Sequence, residues 1–554
     1  MATEKGLCAE FYKGKSIFIT GASGFMGKVL IEKILYSCSG VNKIYALMRP
    51  KRGKSTTLRL EDMWKLPMFH RLREKQPDAL KKIIPVQGDV LFDNLGMDTP
   101  TLELVQREVD IVFHCAATLR LEAKLKDAID MNTTGTWRVI QVCRKMKNLK
   151  SFVHLSTAFC YADLERLDEK VLFYLPVANP QDLMRLIQWM DEKALEKVTP
   201  YLLGVHPNTY TYSKRLAECL VRNEYPKMPM VIELNWLTVK QILTLNTMIF
   251  IHKIVNNLLP KYLSNEIICN QDIHRPNTKT CKEIRLEKFH FNNLVLFPVC
   301  PAWEEPVQGW VDNLNGPVGL MIGAGKGKYL FIIIHLNLGI AIRWYLLLSN
   351  ILIIDCVMSF NNFRSPEVPV YNLTNGDTKQ TTWGHVLEIG RTIVREYPFD
   401  NPLWYPDGDI RKHKFVHDLC VFFFHLLPAY FIDFIMLLIG QKRFMVRIQS
   451  RISDGLEVLQ FFTTREWNFN VSNFHKLFGS LNVKEKTVFP MDLTVVEDKE
   501  FLKRCLLGGR QYCLKEPLSS LPRARFLFKN TIISIVVRNY SFCSITLIFF
   551  TKIS

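Results

Sequence analysis

The stretch from Ser16 to Gly27 constrains this chain more than any other. An apolar, β-branched run breaks into three glycines, Gly21, Gly24 and Gly27, each separated by two residues. From Phe25 to Leu35 apolar residues then recur at helical intervals, with Lys28, Glu32 and Lys33 between them. The pattern predicts strand, tight turn and helix. Glycines in such a turn let the backbone approach a pyrophosphate, and the helix N-terminus offers unpaired N–H groups and a partial positive charge. A dinucleotide is the first expectation; a bare strand-to-helix turn is the alternative.

The next apolar run, Lys43 to Met48, predicts a second parallel strand. An acidic residue at its end would read the ribose hydroxyl of NAD, but Arg49, Lys51 and Arg52 stand there instead. Cations at that place suit a ribose 2′-phosphate and hence NADP, the alternative being a solvated basic loop. A triphosphate-binding loop is disfavoured, because Gly27-Lys28 lacks the upstream glycine at the right spacing and a following Ser or Thr.

Further strands are expected at Lys82 to Gln87, Asp110 to Cys115 and Ser151 to Leu155, with a helical stretch from Lys124 to Lys147 that includes Asn132. These βα units predict a doubly wound parallel sheet that binds ligands at the carboxyl ends of its strands. Asp89, followed by Val90, is placed to accept from an adenine amino group or to serve as a turn residue. Ala116 and Ala117 are small enough for a cofactor, or a packed helix, to lie against them. Tyr210 and Lys214 are four apart and share a helix face. There the ammonium can lower the phenol's pKa and anchor a ribose, while the phenol protonates a carbonyl oxygen as hydride reaches carbon. Thr157, after Ser156 at the end of the fifth strand, is placed to hold the same oxygen.

Taken together, residues 11 to 232 resemble the reductase domain of the fatty acyl-CoA reductases, an extended branch of the short-chain dehydrogenases. The resemblance is carried by Thr20 to Gly27, Arg49-Pro50-Lys51, His114 to Thr118, His154 to Ala158 and Tyr210 to Lys214. It resumes at Pro301 to Pro306, Gly309 to Pro317 and Gly323 to Gly327, and again from about Val368 to Arg525, including Phe461 to Trp467. It implies an NADP-binding reductase domain over residues 11–327, a mainly helical C-terminal domain over 368–525, and NADPH-dependent reduction of a long-chain acyl-CoA to a fatty alcohol through an aldehyde. The implied catalytic set is Tyr210, Lys214, Thr157 and Ser156. The cofactor set is Gly21, Ser23, Gly24, Phe25, Met26, Gly27, Arg49, Arg52, Asp89, Val90, Ala116, Ala117 and Lys214. The alternatives are a related NADP-dependent enzyme acting on a sterol or nucleotide sugar, or a membrane-associated protein that keeps the fold without turnover.

Three stretches depart from the family pattern: residues 233–300, 328–362 and 526–554. In the family the strand after the Tyr/Lys helix ends in Arg-Pro-Ser and leads into the Pro-Ala-Trp segment. Here Met228 to Ile232 begins such a strand, and Glu233 to Cys300, rich in Ile, Leu, Asn and Lys, replaces its end. That composition is either translated AT-rich noncoding sequence or an insertion of this lineage.

Composition narrows the setting. The chain has 554 residues, 48% of them hydrophobic, which is enough to bury the cores of two domains or more. Its 71 Lys and Arg against 53 Asp and Glu suit anionic lipid or a phosphorylated substrate, and no basic stripe with interleaved aromatics points to nucleic acid. Fourteen scattered cysteines without a Cys-x-x-Cys, and a polar N-terminus without a secretory signal, lead to the expectation of a reducing compartment with the catalytic domain facing the cytosol or a peroxisomal or endoplasmic-reticulum surface. No terminal Ser-Lys-Leu address specifies the organelle.

Leu419 to Ile439 is apolar over about the 20 residues that a membrane span requires. It is flanked by Arg411, Lys412, Lys414, Lys442 and Arg443 but contains His425, Pro428 and Asp433. Spanning, monotopic insertion and a buried hairpin all remain open, with membrane lipid as an expected partner. His413 and His417 lack the Glu of a helix-borne zinc motif, so no metal is expected.

Overall fold

A computed structural model describes residues 7–224 except 162, 165 and 170–177, together with strands at 290–296, 331–333, 339–340 and 409–411. It also describes residues 301–312, 317–326, 369–373, 381–400, 421–447, 468–490 and 497–529, and a few positions between them. All belong to one unit built from 1–226 and 290–554.

Seven strands form the main sheet: β1 (Ser16–Thr20), β2 (Lys43–Met48), β3 (Ile83–Gln87), β4 (Ile111–His114), β5 (Ser151–Thr157), β6 (His290–Leu296) and β7 (Val370–Leu373). Their order is 3-2-1-4-5-6-7 and every pairing is parallel, so this is the doubly wound sheet that the sequence predicts, extended by one strand. All five residues of β1 and all seven of β5 are buried, as expected for parallel strands covered by helices on both faces. Pro85 lies in β3, at the sheet edge, where a missing N–H costs no ladder bond.

Between the strands run α1 (Phe25–Ser37), α2 (Thr56–Trp64), α3 (Thr99–Glu108) and α4 (Gly135–Cys143), followed by α5 (Pro180–Trp189), α6 (Glu192–Leu203) and α7 (Thr209–Glu224). Ser55 caps α2 by accepting from Leu58 N, and Asp98 caps α3 by accepting from Thr101 N. The expected helix over Lys124–Lys147 is interrupted by a π-helical segment, Ile129–Thr134. It places Asn132 against Thr118 and Ser213, with Thr118 N donating to Asn132 Oδ1 (2.8 Å) and Asn132 Nδ2 donating to Ser213 Oγ (2.9 Å).

Two sequence assignments change. The strand beside β5 is His290–Leu296, from within the stretch 233–300, while Met228–Ile232 lies outside the described residues. All seven residues of β5 find partners there, which meets the requirement that buried backbone groups be paired. Residues 370–373, assigned to the helical domain, instead form the sheet's edge strand β7. The described C-terminal part is otherwise mainly helical: α8 (Trp383–Glu396), α9 (Leu427–Leu438), α10 (Ser472–Gly479) and α11 (Asp498–Gly508).

Residues 301–312 join the nucleotide half by charge and the helical C-terminal part by stacking. Arg71 holds Glu32 through two bonds of 2.6 and 2.8 Å, and Glu305 joins both Arg71 (2.8 Å) and Lys33 (2.5 Å). Arg504 of α11 stacks on Trp303, 3.7 Å from the ring centroid, and donates to its carbonyl.

The reading of Leu419–Ile439 as a transmembrane helix is not supported. Among the described residues no helix is long and apolar enough to cross a membrane. A π turn, Phe422–Leu426, leads into α9, together about 25 Å against a hydrocarbon core of about 30 Å. Asp433, which a span would strand in lipid, accepts from the backbone N–H groups of Phe444, Met445 and Val446 at 2.8–3.0 Å. Gly440, at φ +73°, turns the chain back towards it.

Candidate active site

The glycine turn is shaped for close approach. Gly21 has φ +71°, and a Cβ there would come within 2.8 Å of the Ala116 nitrogen; at Gly27 it would lie 2.5 Å from the Gly21 oxygen. Gly24 caps α1 with no side-chain bond, so the positive end of the helix dipole is presented at the turn. Beside the turn opens a cavity of about 800 Å³ lined by Gly21, Ser23, Gly24, Arg49, Lys51, Arg59, Asp89, Val90, Ala116 and Ala117, among others.

Arg49 and Asp89 face each other across this cavity at 3.3 Å. Asp89 also accepts from Leu91 N (3.2 Å), so one oxygen serves the turn and the other steadies Arg49. Arg52 does not line the cavity: it occupies the exposed tip of a turn closed by Lys51 and Lys54, with φ +54°. Its expected place is taken by Arg59, which the sequence reading did not select. Arg59, on α2, donates to Ser23 Oγ (3.1 Å) and to the Arg49 carbonyl. The usable signal was a cation ten residues beyond Arg49 on a Ser-capped helix. These donors, the open helix end and the glycine cradle fit a phosphorylated dinucleotide.

At the ends of β4 and β5 the second half of the site assembles. The Tyr210 phenol and the Thr157 hydroxyl are hydrogen-bonded to each other, and both residues are buried. Burial pushes the phenol well above its usual pKa, and the bond to Thr157 draws it partly back. The expected lowering by Lys214 is not the arrangement found. Lys214 Nζ instead donates to the Leu155 carbonyl (2.6 Å) and approaches His154 Nε2 (3.4 Å), and burial brings Lys214 down to about 8. Ser156 faces Cys160, at 3.3 Å, so of the strand-end pair it is Thr157 that meets Tyr210. His413 and His417 lie outside the described residues, among which no cluster suited to a metal occurs.

Comparison with known proteins gives consistent matches along the chain. Residues 19–234 match an NAD-binding family described as male sterility protein, and residues 424–516 match a second family of that description. The first match ends close to Glu233, where the family pattern departs. Fatty acyl-CoA reductase 1 of Homo sapiens is 30% identical over 529 residues, covering 93% of this chain and 88% of its own length. A putative fatty acyl-CoA reductase of Drosophila melanogaster is 30% identical over 530 residues, with 93% and 89% covered. Among solved structures, the reductase domain of a nonribosomal peptide synthetase from Mycobacterium tuberculosis superposes with TM-score 0.52 at 13% identity, covering 93% of this chain and 96% of that one. The terminal reductase domain of the myxalamid pathway gives 0.51 at 13%, with 91% and 92% covered, and these two establish likeness of fold. With the glycine turn, the parallel sheet and near full-length relatives in agreement, the chain belongs to the fatty acyl-CoA reductase family of oxidoreductases.

Proposed function

We propose that this chain uses NADPH to reduce a long-chain fatty acyl-CoA to the fatty alcohol, with the aldehyde between two reductions. The observation that carries the reading is the Thr157–Tyr210 pair, beside Lys214, at the end of the same sheet whose glycine turn and paired arginines line the cavity. NADPH, when bound, supplies one hydride to each reduction. Gly21, Gly24 and Gly27 give the pyrophosphate its backbone surface, and Arg49 and Arg59 stand where cations discriminate a 2′-phosphate. Because its pKa is raised, Tyr210 carries its proton at neutral pH and serves as the acid toward the substrate oxygen. Thr157 orients that phenol. In the first reduction the thioester carbon gains hydride, the C–S bond breaks, and CoA leaves as the thiol with a proton supplied through Tyr210; in the second the aldehyde carbon gains hydride and its oxygen takes a proton from Tyr210.

The test is NADPH oxidation by purified chain with palmitoyl-CoA. Two NADPH per alcohol is the expected stoichiometry, and nucleotide binding without turnover would support the non-catalytic alternative. Conversion of Tyr210 to Phe is expected to abolish alcohol formation while leaving NADPH affinity nearly intact.

A membrane-surface location is part of the same proposal. Phe422, Phe423, Tyr430, Phe431, Phe434, Leu437, Leu438 and Ile439 are exposed on the π turn and α9, with Lys442 and Arg443 at the end. An apolar patch rimmed by cations suits in-plane insertion into an anionic bilayer, the catalytic half staying on the cytosolic side. Sedimentation with phosphatidylserine vesicles, lost in Phe431→Glu/Phe434→Glu, is the expected result; unchanged sedimentation of that variant refutes it.

A further inference from the structure

Two buried histidines lie beneath the Tyr210/Lys214 pair, and only one is fully satisfied. His114 Nδ1 is 2.7 Å from Thr20 Oγ1 and its Nε2 is 2.9 Å from Thr136 Oγ1. Ala116 N donates to Thr20 Oγ1 (3.2 Å), and the Thr136 hydroxyl donates to the Asn132 carbonyl (2.6 Å). One assignment serves every group: His114 is neutral, protonated on Nε2, and accepts from Thr20 at Nδ1. This ring anchors the strand end.

His154, at 0% exposure, is different. Its Nε2 stands 3.4 Å from Lys214 Nζ, and its Nδ1 has no hydrogen-bond partner among the described residues. An ammonium can only donate, so Nε2 must be the acceptor and Nδ1 must carry the proton. Leaving Nδ1–H unpaired in the interior is destabilising, a penalty that a residue with a packing role alone would not need to bear. The Leu155 carbonyl takes a second Lys214 N–H, so two of the three ammonium hydrogens are fixed from the sheet side and one is left over.

We propose that His154 is a positioning residue for the reduction: its Nε2 lone pair, with the Leu155 carbonyl, keeps Lys214 charged and aims the remaining N–H at the bound cofactor and the phenol. This rests on the Tyr210/Lys214 reading above. The other groups facing Lys214 act differently: the charge of Glu218 favours the ammonium from a distance, but none of them is a hydrogen-bond acceptor found on Nζ. Tyr210 and Glu218 share its helix face, and Glu218 is engaged by the Tyr161 hydroxyl (2.9 Å). Cys115 and His114 face it from the end of β4, and Cys160 from the turn after β5. Burial holds both thiols protonated, with Cys115 pushed up to about 12, and it holds both imidazoles neutral.

The experiment compares full-length wild type, His154→Leu, His154→Gln and Lys214→Met in NADPH-dependent reduction of a fatty aldehyde, recording kcat and KM from pH 6 to 10. Loss of the acceptor disfavours the ammonium, so His154→Leu is expected to move the alkaline limb set by Lys214 down by about one unit, a tenfold loss of kcat on that limb with KM nearly unchanged. His154→Gln, whose amide oxygen reaches the Nε2 position, is expected to restore the limb. A folded His154→Leu enzyme with an unmoved limb, or an equal loss at every pH without rescue by Gln, overturns the proposal. If His154→Leu does not fold, His154→Asn, too short to reach Nε2, replaces it, and identical limbs for Asn and Gln overturn it. Should Lys214→Met keep wild-type turnover, the Tyr/Lys reading itself fails. Should Lys214→Met be inactive while His154→Leu titrates like wild type, only the role given to His154 fails.

Discussion

Replacing Gly27 by Ala tests the cofactor cradle through a single methyl group. The new Cβ would stand 2.5 Å from the Gly21 oxygen, 2.6 Å from Ala22 Cα and 2.8 Å from the Ala22 oxygen, all backbone atoms that no rotamer change can clear. The first contact is about 0.9 Å short of an ordinary 3.4 Å approach, so the start of α1 must retreat from the turn by that order. Overpacking of this kind costs about 1–3 kcal/mol. It falls on the surface proposed to meet the pyrophosphate, so NADPH affinity should drop by about 5- to 150-fold. Gly390→Ala is the control, because a Cβ there, inside α8, meets nothing within 4 Å and gains roughly 0.8–1 kcal/mol of helix propensity. Fluorescence titration with NADPH and thermal melting of both variants give the readout. Gly27→Ala should bind weakly and melt lower, and Gly390→Ala should bind normally and melt higher. Affinity within twofold of wild type in Gly27→Ala would refute the placement of the dinucleotide on this turn.

Other outcomes follow from the same geometry. Arg59→Ala should cost NADPH about 1.5–3 kcal/mol of binding while leaving NADH nearly unaffected, whereas Arg52→Ala should change neither; KM values for both nucleotides decide this. Lys214 has a folded pKa of about 8, below its ordinary value of 10.5, so the unfolded chain binds more protons between those values and wild-type stability gains with rising pH in that window. The stability of Lys214→Met relative to wild type should therefore decline from pH 8 to 10.5, as read by denaturant unfolding. Asp191→Ala removes the side chain that accepts from Lys193 N and Ala194 N at the start of α6 and should destabilise by about 0.5–2 kcal/mol without altering NADPH affinity. For residues 233–300, sequencing the transcript across Ile232 to Pro301 separates the two origins: an mRNA that retains the stretch and yields active enzyme identifies a lineage insertion.

How much of this was legible in the sequence depended on whether a feature is set locally. Strands β1, β2, β4 and β5 read correctly to within two residues because parallel strands buried on both faces leave continuous apolar runs, and the glycine spacing fixed the turn between β1 and α1. The Tyr210–Lys214 spacing was equally plain, since helical periodicity alone puts both on one face. What Lys214 touches was not, because its partners His154 and Leu155 come from a strand some sixty residues earlier. Arg59 escaped notice for a similar reason: the orientation of α2, not proximity in the chain, brings it to Ser23. Residues 290–296 carried no family signal, and their place between β5 and β7 is a property of the sheet that receives them. Asp433 marked the apolar run as unusual, but only the folded turn shows its three backbone donors.

The central claim is that one site delivers two hydrides from NADPH to the carbon of an acyl thioester, with Tyr210 as the acid. Its most direct test is simultaneous measurement of NADPH consumed and alcohol formed when purified, full-length protein turns over palmitoyl-CoA. The account predicts two NADPH per alcohol, with no alcohol from Tyr210→Phe. A protein that retains no pyridine nucleotide, or a Tyr210→Phe variant that still forms alcohol at the wild-type rate, would contradict it.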